Sequence, residues 1–241
     1  MNLRLRQFLS FSLFLLLFPA SAAVWDDSSA DVWKRYNFAV SDSAIYRHEN
    51  LRRLHPLKFD PQTLTTTVVT LTNYDYPSGV QSLSRAVWVT AVPEVQEKCS
   101  KFSDPDLGLR LRQLIGLQPD AKFQYFATKT VRSSDIFRPA TDPTSTTEWP
   151  CSDSKQATCG EVFPDWVTSD HIKWIANQML TSYLISAEHN GAYSYPWTRL
   201  GYTYDWKPEA DRYGASEYVV RPGSVVNVTD KKPFAAYCGR M

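Results

Sequence analysis

Thr65-Thr66-Thr67-Val68-Val69-Thr70-Leu71-Thr72 is β-branched at every position except Leu71. Such side chains lose rotamer freedom in a helix and pack well on a pleated surface, so the stretch reads as a strand. Arg85 to Val92 has the same character, and the connection from Asn73 to Ser84 carries Pro77 and Gly79, both turn formers. Two strands joined this way are most simply antiparallel neighbours. Further along, Lys122 to Val131 and Leu200 to Trp206 alternate between apolar and polar residues. Ser216 to Val220 and Val225 to Thr229 flank Arg221-Pro222-Gly223-Ser224, where Pro then Gly fits a type II turn.

Helical signals lie between these strands. Asp104-Pro105-Asp106 reads as a helix start with Asp104 as cap, followed by Leu107, Leu111, Leu114 and Ile115 at helical spacing and ended by Gly116 and Pro119. From Asp170 to Ile185, one apolar stripe runs through Ile172, Ile175, Ala176, Met179, Leu180, Tyr183 and Leu184. That stripe is expected to face the sheet, capped at Thr168 or Ser169, with His171, Trp174 and Gln178 on the other side. A short helix is expected from Ser43 to Leu54, and residues 133 to 168 read as a long loop. The sum is an α+β fold: a largely antiparallel sheet with two or three helices packed on it, stapled by two disulfides.

Residues 1 to 22 read as a signal peptide. Arg4 and Arg6 precede an apolar run from Phe8 to Phe18, and Ala20-Ser21-Ala22 offers small residues for cleavage. The run is short of the roughly 20 residues that span a bilayer. The expectation is therefore a secreted or periplasmic protein, a single domain over residues 23 to 241, with no stable membrane insertion after cleavage. Cys99, Cys151, Cys159 and Cys238 then belong to an oxidising compartment, where an even count favours pairing. The favoured pairs are Cys151 with Cys159 and Cys99 with Cys238. No metal-ligand spacing accompanies them, so no metal is expected.

The charge balance, 26 Lys plus Arg against 25 Asp plus Glu, gives no basic face for nucleic acid. The densest cluster, Arg47 to Arg53, includes Glu49 and reads as a solvated face. Glycines number nine and are scattered. Without a phosphate loop no nucleotide cofactor is expected, nor any other.

The segment from Tyr193 to Tyr218 is the leading candidate for function. It concentrates Tyr195, Trp197, Tyr202, Tyr204, Trp206 and Tyr213 beside Arg199, Asp205 and Glu217. Rings with polar tips next to hydrogen-bonding groups suit sugar rings or protein surfaces. Tyr195, Trp197 and Arg199 are expected to be exposed and to form a ligand-binding surface for an extracytoplasmic glycan or protein. The alternative is a hydrolase of glycan or cell-wall material. It would use Asp205 and Glu217 as a carboxylate pair at roughly 5 to 9 Å, if strands 202–206 and 216–220 pair. His189, beside Glu188, is a further catalytic candidate. Arg138 and Arg199 could bind an anion or brace a loop through its carbonyls, and bracing is the commoner use of such arginines.

Overall fold

A computed structural model describes residues 29–153, 155–183 and 194–240. The signal-peptide reading and His189 lie outside them. The β-branched stretch forms β1, Thr65–Thr72, and its antiparallel neighbour β3 spans Val87–Ala91, with β2 (Gly79–Ser82) between them in the chain. The remaining strands are β4 (Tyr125–Arg132), β5 (Ile136–Phe137), β6 (Tyr202–Tyr204), β7 (Tyr213–Val220) and β8 (Val225–Pro233). They form one antiparallel sheet in the order β2-β8-β4-β1-β3-β7-β5, and β6 pairs with β7 beside β5. The architecture is α+β, as the sequence patterns predict.

The turn between β7 and β8 dictates the shape of this sheet. Ser224 N–H donates to the Arg221 carbonyl at 3.3 Å and Gly223 has φ +79°, the geometry of a type II turn. The turn nevertheless joins strands four places apart in the order. Four inter-strand spacings amount to about 19 Å on a flat sheet. A tight turn cannot reach that far, so the sheet curls. Its inner face is filled by Val68, Val89, Ala91, Val131, Tyr218, Val220 and Val226, closed over by Leu57 and Phe59 from the extended chain before β1.

The other face carries helices. α2 (Glu94–Cys99), α3 (Leu107–Leu114) and α5 (Phe234–Tyr237) bury Val95, Leu111, Leu114 and Tyr237 against Val69, Phe126 and Ala215. The cap of α3 is Asp106, whose carboxylate accepts from Leu109 N–H at 2.8 Å, and not Asp104. Asp104 instead pairs with Lys207 at 2.7 Å. At the other end, Leu117 N–H reaches the Arg112 carbonyl at 2.8 Å around Gly116, whose φ of +69° a side chain would resist. Gly214 admits the end of α3, since a Cβ there would lie 2.0 Å from the Leu114 carbonyl oxygen.

Both disulfides form as paired in the sequence: Cys99 with Cys238, tying α2 to the end of α5, and Cys151 with Cys159 in the long loop. No helix among the described residues is long and apolar enough to cross a membrane.

Two helices depart from expectation. The N-terminal one, α1, runs Ser29–Ser43, whereas the expected helix at 43–54 is reduced to a 3₁₀ turn at His48–Asn50. Val32, Tyr36, Ala39 and Val40 recur at helical spacing and bury against Tyr204 and Trp206, which supplies the packing that a 43–54 helix lacks. The second, α4 (Ser169–Ser182, capped by Thr168), is rotated from expectation, so that of the expected stripe Ile175 is buried and Tyr183 packs on the core, while the side carrying His171 and Trp174 also turns inward. His171, Ile175 and Ser182 are buried, while Ile172 and Leu180 of the aliphatic stripe are exposed. Trp174 decides the orientation, with its ring centroid 4.9 Å from Phe137 and 6.0 Å from both Trp88 and Trp197. His171 adds a contact with the Ala140 carbonyl at 2.7 Å. Burying these large rings outweighs burying Ile172 and Leu180.

Candidate functional site

Strand alternation selects the residues of a cleft on the helix-bearing face. Thr90 of β3 stands opposite Val69 of β1 and Glu217 of β7, so all three side chains share that face, with Trp88 two residues before Thr90. Helices cover one end of the face. Between the end of α3 and the end of α4 the described residues leave a cleft of about 480 Å³. Ile115 and Leu117 wall it on one side; Gln178, Ser182 and Trp197 wall it on the other. Tyr74 and Tyr195, 59% and 41% exposed, stand at its mouth together with Arg85. Thr90 and Glu217 are buried at its floor.

The wall that carries Tyr195 and Trp197 is pinned from several elements. The Tyr36 hydroxyl of α1 donates to the Ser194 carbonyl at 2.7 Å, and Tyr195 N–H donates to the Ser182 carbonyl at 2.9 Å. The Tyr183 hydroxyl reaches the Trp197 carbonyl at 2.5 Å, and Thr198 Oγ1 reaches that of Tyr202 at 2.6 Å. A bridge between Trp197 and Thr203 ties the segment to β6. Rings held this way are pre-organised, which lowers the ordering cost of binding.

Glu217 is the chemically unusual group of the cleft. Its side chain is buried, and Oε1 has no hydrogen-bond partner among the described residues. Burial pushes its carboxyl up from the ordinary 4.5 to about 8, so it is mainly protonated at neutral pH. The Trp197 indole lies close enough to oppose that rise, although its Nε1 and Oε1 of Glu217 are outside hydrogen-bond geometry. Both residues line the cleft, and each keeps one polar atom without a partner among the described residues.

The expected site residues divide. Tyr195 is exposed at the mouth, as expected. Trp197 lines the cleft but is buried at 4% exposure, contrary to the expected exposed surface, because Trp88, Trp174 and Tyr183 pack around it. Arg199 does not line the cleft. Its Nη2 donates to the Ala44 carbonyl at 2.7 Å, which ties α1's end to the 194–204 segment. Arg138 likewise braces a loop, donating to the Thr147 and Trp149 carbonyls from full burial.

The expected carboxylate pair does not assemble. β6 does pair with β7, but Asp205 N–H aligns with the Arg212 carbonyl, whereas Glu217 N–H aligns with that of Gly201. Four residues of strand separate the two positions, roughly 13 Å. The Asp205 carboxylate is taken by Arg110 in two hydrogen bonds of 3.0 and 2.7 Å. Among the described residues no cluster of His, Cys, Asp or Glu could hold a metal ion.

Trp88 is the cleft residue that sequence reasoning passes over, being one apolar residue in an apolar strand. Glu217 carried a usable signal in being the lone carboxyl within Ser216–Val220, a run otherwise fit for burial on both faces. Comparison with protein-family models, with curated proteins and with solved structures gives no match in any of the three.

Proposed function

We propose that the protein is an exported binding protein whose ligand seats in the cleft above Glu217, and that the ligand is a glycan. The observation that carries this reading is the cleft itself: about 480 Å³, walled by fixed aromatic rings, with the Glu217 carboxyl at its floor and the Trp197 indole in its wall, each keeping one polar atom without a partner among the described residues. That volume lies within the several hundred Å³ typical of small-molecule sites, where a few placed polar groups orient a ligand against apolar walls. A sugar ring matches such a place, with an apolar face for Trp88 or Tyr195 and hydroxyls for Glu217 and Trp197. A concave site favours a saccharide over a protein partner, whose interface would cover a broad area of about 800 Å². The two disulfides fit an oxidising destination outside the cytoplasm.

The hydrolytic alternative draws support from Glu217, since a carboxyl protonated at neutral pH is a ready general acid. It needs a second carboxyl, and Glu217 is the single acidic residue lining the cleft among those described. Binding without turnover is therefore the better-supported reading. A screen of soluble glycans and cell-wall fragments, read by quenching of tryptophan fluorescence with product release followed in the same samples, tests both. Saturable quenching that Tyr195→Ala weakens is expected. Product release abolished by Glu217→Gln would replace the binding reading with the hydrolytic one, and no response to any glycan would refute both.

A further inference from the structure

We propose that the Glu217 carboxyl and the Trp197 indole N–H form one recognition pair, so that the cleft accepts an uncharged ligand offering a hydroxyl or carbonyl oxygen and rejects an acidic one. The inference deepens the glycan reading and rests on it for the identity of the ligand. It stands first on geometry. Among the described residues, Glu217 at the cleft floor is 6% exposed and leaves Oε1 without a partner, and Trp197 in the cleft wall, 4% exposed, leaves Nε1 without one. Buried polar atoms are almost always satisfied, and two residues that line one cavity and each keep an orphaned atom mark a place where a ligand completes them.

The chemistry of the pair fixes the ligand's character. Indole N–H is a donor only, and a protonated carboxyl is one donor with acceptor capacity left over. Together they present two donors to an oxygen-rich group. A neutral sugar hydroxyl can accept from one and donate to the carbonyl oxygen of the other. A ligand carboxylate would enter a desolvated site with no cation at its floor among the described residues, since the cleft's arginine, Arg85, is exposed at the mouth.

The surroundings keep the carboxyl neutral. Thr90 faces it from β3, and Tyr183 beyond α4 and Tyr202 on β6 are the titratable groups that feel its charge. Burial holds both phenols well above their ordinary value, Tyr202 at about 12, so neither ionises in the working range. Arg199, which lies over the Tyr183 ring, donates to the Ala44 carbonyl and does not line the cleft. Glu217 itself rises to about 8 through burial, with only the indole pulling the other way.

The test uses dicyclohexylcarbodiimide, an uncharged, apolar reagent that adds to protonated carboxyl groups. With the full chain near pH 6.5, one adduct mapped by peptide mass spectrometry to Glu217 is expected. Its rate should fall about tenfold per pH unit above 8 and vanish in Glu217→Gln. Labelling absent from Glu217, or lost already through the ordinary carboxylate range, overturns the proposal. Chitobiose and digalacturonate, one uncharged and one acidic, are then compared as protectants. Protection by chitobiose that weakens two- to tenfold in Trp197→Phe, the worth of one hydrogen bond, supports the pair. Protection by digalacturonate alone overturns it. Labelling at Glu217 with the expected pH profile but no protection by either sugar or by any glycan of the screen refutes the glycan reading and leaves the neutral carboxyl, open to an uncharged molecule, in place.

Discussion

Replacing Glu217 by glutamine should change how the stability of the fold depends on pH. In the unfolded chain this carboxyl ionises through 4.5, whereas burial in the folded protein delays it to about 8. Between those values the folded state keeps a proton that the unfolded state has released, so stability is full below 4.5 and falls as pH rises towards 8. The slope is about 1.4 kcal/mol per pH unit, which integrates to about 5 kcal/mol over the window. Glutamine has nearly the same shape and cannot ionise. The assay is urea unfolding of both proteins at pH steps from 4 to 9, read as the difference between their unfolding free energies. Taking the difference cancels His171, whose burial-lowered pKa acts in the opposite direction near pH 6. It also cancels Lys129, which burial lowers to about 7 and which therefore adds stability as pH rises from 7 towards 10.5. The wild type should lose ground to Glu217→Gln steadily through this range. Parallel curves would refute the claim that the folded protein holds Glu217 protonated.

Opening the two disulfides should have unequal effects, because they close loops of very different length. Their separations of 139 and 8 residues correspond to about 5 and about 2.5 kcal/mol in the loop-entropy model, so urea midpoints of Cys99→Ser/Cys238→Ser and Cys151→Ser/Cys159→Ser should differ clearly. Asp205→Asn leaves the buried Arg110 guanidinium without its carboxylate and should destabilise by about 3 to 5 kcal/mol, whereas Arg110→Met/Asp205→Leu should recover much of that loss in the same assay. Gly214→Ala places a Cβ 2.0 Å from the Leu114 carbonyl oxygen, and thermal unfolding should show a loss on the order of 3 kcal/mol, with α3 displaced from β7.

How legible each element was in the sequence follows from what determines it. β1 is readable from Thr65 to Thr72 because its residues disfavour a helix whatever surrounds them. The disulfide pairing is readable because two of the cysteines lie eight residues apart. α1 is less so: its buried stripe of Val32, Tyr36, Ala39 and Val40 is interleaved with Trp33 and Phe38, and Phe38 turns out 61% exposed. The facing of α4 was hidden for a related reason. Periodicity identifies an aliphatic stripe, but which side faces inward depends on Phe137 and Trp88, far away in sequence, which offer Trp174 a place to pack. The cleft was least legible, since β3, β7 and the segment after residue 193 bring Trp88, Glu217 and Trp197 together only through sheet order.

Asp205 and Glu217 illustrate why residue type alone could not separate a structural acid from a functional one. Both are carboxyls on or beside paired strands, and both are buried, at 4% and 6% exposure. Asp205 meets a guanidinium with matching fork geometry, so both its oxygens are occupied. Glu217 meets a tryptophan wall and a threonine, neither able to balance a charge, so the proton stays on and an oxygen stays free. If folding alone governed this position, an apolar side chain would serve better, as Val219 does two residues on along the same strand face. Orphaned groups of this kind persist where function asks for them. The cost in stability at neutral pH and the free hydrogen-bonding capacity in the cleft therefore have one origin, the absence among the described residues of a partner for Oε1 of Glu217.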